Sequence, residues 1–141
     1  MLIYAINVLP VVLAAFSTMV IGMLWYSPVM FGTKWMQLVG MTAEMTPEAK
    51  KRAKFAYVFM AISAVVMAYV LALFIENMFV LSMNGALTIA LFAWVGFVAT
   101  SMTGEYLFNA KPKPWALYIL NSGYYLVALL ANAIIIFTFI K

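Results

Sequence analysis

The chain has 141 residues, of which 68% are hydrophobic and 9% charged, against about 25% charged in an ordinary soluble domain. Eight basic and four acidic side chains cannot coat a water-soluble body of this size, so a soluble fold is excluded. Neither Cys nor His occurs, which removes disulfides, thiolate nucleophiles, His-ligated metals and any triad with an imidazole base. The carboxylates Glu44, Glu48, Glu76 and Glu105 lie in or beside loops, which offers neither a metal cage nor a paired-acid site, and no cofactor is expected. The net charge of +4 sits on residues that flank apolar runs, where membrane topology accounts for it better than nucleic acid does.

The apolar residues fall in four blocks, each long enough to cross a hydrocarbon core of about 30 Å. This predicts an all-α integral membrane protein, one domain of four transmembrane helices with the lipid bilayer as its main partner. The first span is placed at 2–24. It has no basic flank and runs past Ala14 and Ala15 to Trp25 and Tyr26, so it reads as a retained helix rather than a cleaved signal.

The first loop, 25–54, opens at Pro28, and Lys34 to Val39 reads as a short helix lying in the membrane interface. Thr46, Pro47 and Glu48 read as an N-cap, a proline at the first helical position and an acid in the first turn. They start a helix that carries Lys50, Lys51, Arg52 and Lys54 into the second span at 55–75. The third span is placed at 85–103 and the fourth at 115–140, entered through Pro112 and Pro114.

Loops one and three hold seven of the eight basic residues: Lys34, Lys50, Lys51, Arg52, Lys54, Lys111 and Lys113. Only Lys141 falls on the opposite side. Such asymmetry puts those loops in the cytoplasm and both chain ends outside. Trp25, Tyr26, Trp35 and Trp115 then lie at the cytoplasmic boundary as an aromatic belt.

At 100° per residue, Asn7, Val11, Ala14, Thr18 and Gly22 share one strip of the first span, and Ala61, Ala64, Ala68 and Ala72 share one of the second. Small residues let helices approach closely in lipid, so these strips are expected to be the helix–helix seams. The fourth span carries Tyr118, Asn121, Ser122, Tyr125 and Asn132 within an arc of about 100°. Amides are costly in hydrocarbon, so this stripe faces protein or water: either interhelical hydrogen bonds or a polar binding cavity. Gly123 opens space beside Asn121. Glu105 and Trp94 share a face of the third span in an α-helical reading. Glu105 is expected to pair with Lys111, Lys113 or a first-loop base, with a coupling role as the sharper alternative. These seven residues form the candidate binding set.

The run Gly22-x-x-Trp25-Tyr26-Ser27-Pro28-x-x-Phe31-Gly32-x-x-Trp35-Met36 resembles the DUF1761 family of small bacterial membrane proteins. Trp94 to Thr100, Leu107-Phe108 and Asn121-Ser122-Gly123-Tyr124 extend the resemblance over nearly the whole chain. It implies the fold and no activity, since the family's function is unknown. The family often has His after that last Tyr. Tyr125 stands there in this chain, so a role for imidazole does not carry over.

Gly22, Tyr26, Phe31, Lys34 and Trp35 are echoed by Gly104, Tyr106, Phe108, Lys111 and Trp115 at different spacings. Two parallel two-helix halves would give such an echo, and so would shared interface chemistry. Three functions are open: a structural or partner-interacting homo-oligomer, a small-molecule or ion binding or transport module built on the fourth span, and an intramembrane enzyme. The first is favoured, and the third has almost no acid–base groups to use.

Overall fold

A computed structural model describes residues 6–41, 47–108 and 113–140, the side chains at 47, 49 and 50 excepted. The described residues form helices α1 (Val8–Trp25), α2 (Gly32–Val39), α3 (Pro47–Asn77), α4 (Met83–Ala93), α5 (Thr100–Leu107) and α6 (Trp115–Ile140). A π-helical segment, Trp94–Ala99, joins α4 to α5 into one span. Four helical stretches are long and apolar enough to cross a membrane: Val8–Trp25, Lys51–Asn77, Met83–Leu107 and Trp115–Ile140. The fold is the expected all-α membrane bundle.

The first helix starts later than its apolar run suggests. Asn7 accepts a hydrogen bond from the Leu9 amide at 3.1 Å and caps α1, so it is exposed at the helix start and takes no part in the seam. The rest of that strip behaves as expected: Val11, Ala14, Thr18 and Gly22 are buried. Ala64, Ala68 and Ala72 are buried on α3, and Ala61 at the strip's end is half-buried. These small faces let α1 lie against α3 and α6. The third span begins at Ser82, whose hydroxyl accepts from the Gly85 amide.

The fourth span, described over Trp115–Ile140, starts at Trp115 and is the hub. It is the most buried of the four and packs against α1, α3 and the third span. The third span is the least buried. Its contact with α3 is slight, so the two halves of the chain do not meet symmetrically. Between them lies an apolar groove of about 270 Å³, walled by Met67, Val70, Leu71 and Phe74 on one side and Ala93, Phe97 and Val98 on the other, with Leu129 of α6 completing the lining.

The bundle has a basic end, where α1 finishes and α6 begins. There α2 forms as expected, starting at Gly32 and closing at Gly40, whose φ of 70° lets it end the helix in the left-handed conformation. Of the N-cap triplet, Pro47 does open α3, while Thr46 lies outside the described residues, as does Lys111. α3 has 31 residues, about 46 Å of helix, and none of residues 51–63 is buried. The basic half of the second span therefore stands away from the bundle.

An aromatic and amide clamp at the basic end as the candidate functional site

Two segments converge on Asn121 of α6. From the end of α1, the Tyr26 hydroxyl donates to Asn121 Oδ1 at 3.0 Å. From α5, the Tyr106 hydroxyl accepts from Asn121 Nδ2 at 2.8 Å. The amide of α6 thus ties the first span to the third. Tyr26 also packs against Trp35 of α2 and Tyr124 of α6, with ring centroids 5.6 and 5.5 Å apart. Burial, helped by the neighbouring tyrosines, pushes the Tyr26 hydroxyl above the usual tyrosine range, so it keeps the proton it donates.

The turn that delivers Tyr26 is built by the first loop. The Phe31 amide donates to the Trp25 carbonyl at 3.0 Å, and the Gly32 amide to the Ser27 carbonyl at 2.9 Å. Trp25 stacks on Phe31 at 4.7 Å and donates from Nε1 to the Leu120 carbonyl at 3.1 Å. Its indole occupies the space beside Gly123, 3.5 Å from where a Cβ would stand. The opening expected next to Asn121 is filled by this ring.

The π-helical segment sets which side of the third span meets α6. In an unbroken α-helix, Trp94 and Glu105 return to the same direction within about 20°. A turn with i→i+5 bonding holds about one more residue, which sets everything beyond it back by about 100°. The expectation that Glu105 shares a face with Trp94 is corrected accordingly. Trp94 donates from Nε1 to the Ser122 carbonyl at 2.7 Å, and Tyr106, only 3% exposed, joins it against α6. Glu105 points outward with its side chain 57% exposed and pairs with Lys113, one of its expected partners. The bond to Glu105 raises the Lys113 pKa, and the ammonium lies 5.5 Å over the Tyr106 ring. Carbonyls of the π segment take extra donors: Thr100 to Gly96 at 2.7 Å, Thr103 to Ala99 at 3.0 Å, and Tyr118 to Ala99 at 2.9 Å.

The stripe on α6 therefore divides. Tyr118, Asn121 and the Ser122 carbonyl serve the seam with the third span. Tyr125 stacks on Tyr124 at 4.9 Å and is 37% exposed at the edge. Asn132 lies 11 residues from Asn121, about 16 Å along the axis, and is fully buried against α1. In the amide orientation that satisfies both its ends, its nitrogen donates to the Ala14 carbonyl at 2.7 Å and its oxygen accepts from Thr18 at 3.0 Å. Among the described residues no buried side-chain nitrogen or oxygen lacks a partner, and no group of three acids could hold a metal ion.

Sequence reasoning missed Tyr26, Tyr106 and Tyr124 as members of the cluster. Tyr26 had a signal in the Trp-Tyr-Ser-Pro run. Tyr106 had none, because its direction depends on the π turn.

The family model described as "Protein of unknown function (DUF1761)" matches residues 9–137, nearly the whole chain. The chain belongs to the DUF1761 family. Two of the motifs that carried the resemblance thus have structural duties in this DUF1761 protein: the first loop aims Tyr26, and Asn121 to Tyr124 receives it. No curated protein and no solved structure matches the chain.

Proposed function

We propose that this DUF1761 protein is a structural or partner-interacting membrane bundle that assembles as a homo-oligomer and acts by association rather than by catalysis. The observation that carries this reading is Asn121, whose amide oxygen and nitrogen are both engaged by the protein's own tyrosines. A side chain kept for a ligand would hold one end ready. Association finds support in the third span, the least buried, where nothing lies within 4 Å of a Cβ built at Gly96 or Gly104. Small residues on a lipid-facing helix let a second helix come close.

The test is Asn121→Leu, which keeps approximate volume and removes the amide. Loss of about 1–2 kcal/mol of stability in detergent is expected, the scale of a strong interhelical polar contact. Unchanged or raised stability, together with loss of a copurifying small molecule, would turn the reading to a binding or transport module.

Placement in a bacterial inner membrane belongs to the same proposal and follows the family resemblance, while the basic end cytoplasmic and both termini outside rest on the seven-to-one basic asymmetry. The chain has no Cys, so single cysteines report cleanly. An impermeant thiol reagent on intact cells should label Asn84→Cys and spare Lys51→Cys. The opposite labelling would reverse the orientation.

A further inference from the structure

An apolar groove lies between α3 and the third span, and the face of α3 that lines it carries a cation further toward the basic end. Met67, Val70 and Phe74 turn toward the third span, since they line the groove. At 100° per residue, Arg52, Phe59 and Ser63 fall within an arc of about 80° with them, so Arg52 continues the same face of α3 at the basic end. Arg52 is exposed and has no ion-pair partner among the described residues. Between Arg52 and the groove α3 touches nothing closely enough to be buried, which leaves that face open to a guest.

The spacing suits one kind of guest. Arg52 and Met67 are 15 residues apart, about 22 Å along the helix. Half of a hydrocarbon core is about 15 Å, and the headgroup layer on one side adds about 6 Å. A phospholipid whose phosphate sits at Arg52 therefore brings its chain end to the near edge of the groove, at Met67. The groove's part of the third span, 93–98, lies near the middle of Met83–Leu107, at the depth where acyl chains end. Its walls are apolar side chains throughout, matching a hydrocarbon tail, and the guanidinium matches an anionic headgroup.

We infer that one anionic phospholipid lies along this face of α3, with its headgroup at Arg52 and the end of an acyl tail in the near part of the groove, at Met67, Val70 and Phe97. The lipid wedges the splayed half of the second span against the bundle. Lys51 lies about 100° away on α3, facing the bulk surface, and contributes no selectivity.

Native mass spectrometry of the full chain, released from nanodiscs with equal phosphatidylglycerol and phosphatidylcholine of the same acyl chains, tests this. The wild-type protein should retain one phosphatidylglycerol with a preference of about fivefold, the scale for one cation at an anionic surface. Arg52→Gln should abolish the preference, and Lys51→Gln, with the same charge change, should keep it. Val70→Trp fills the groove from an exposed position and should lose both lipids while Arg52 remains. Equal retention of the two lipids overturns the inference, as does a preference that survives Arg52→Gln or falls equally with Lys51→Gln. So does lipid retained by a folded Val70→Trp protein, with Phe97→Trp, on the facing wall, as the second variant should the first not fold.

Discussion

Gly32→Ala is expected to destabilise this protein by about 3 kcal/mol or more, the upper range for forcing extra volume into a packed site. A Cβ at Gly32 would stand 2.2 Å from the Tyr26 carbonyl oxygen and 2.7 and 2.8 Å from the Ser27 carbonyl carbon and oxygen. All three are backbone atoms, so no rotamer change relieves the collision. The backbone at Gly32 is not left-handed, and space rather than conformation requires glycine there. Relief must come from opening the turn at residues 26–32, which pulls Tyr26 from Asn121 and Trp25 from Leu120. Thermal unfolding in detergent should show the loss. Val58→Leu, at an exposed position of α3, should stay near neutral. Equal melting temperatures for the two variants would mean that the turn does not close as described.

Ala68→Leu should cost about 1–3 kcal/mol. Ala68 is 0% exposed in the small-residue face of α3, within the same buried cluster as Val11, Ala14 and Ala15 of α1. Three extra carbons must push the helices apart, and the loss spreads to Asn132, whose bonds to Ala14 and Thr18 need the present separation of α1 and α6. Val66→Leu, on the exposed side of the same helix, adds one carbon where nothing resists it and serves as the control. A wild-type melting temperature for Ala68→Leu, measured beside Val66→Leu, would remove the second span from this seam.

What could be read from the sequence follows the physics of each element. The start of the fourth span was legible, because Pro114 and Trp115 open a run whose length the bilayer dictates. The seams at Ala14, Thr18, Ala64 and Ala68 were legible because small side chains recur every three or four positions amid large ones. Asn7 falls on the seam strip by angle alone, whereas α1 starts at Val8 and the amide serves as its cap. The clamp was half legible. Asn121 and Tyr118 stood out as polar groups in an apolar span, whereas Tyr106 was hidden, since Glu105 takes its place under any uniform α-helical count. A π turn in a run as evenly apolar as Trp94–Ala99 leaves no break in hydropathy to announce it.

The length of α1 bears on where the protein can reside. Its 18 residues, closed off by Asn7 and Tyr26, make about 27 Å, a few ångströms under a typical hydrocarbon core. α6, at 26 residues and about 39 Å, can lean to fit a range of bilayers. A helix that is already short has no such freedom, because tilting shortens it further. Since α1 is tied to α6 at Asn132 and at Tyr26, it brings the surrounding lipid to its own height. Thickening the bilayer is therefore expected to strain the bundle first at the ends of α1.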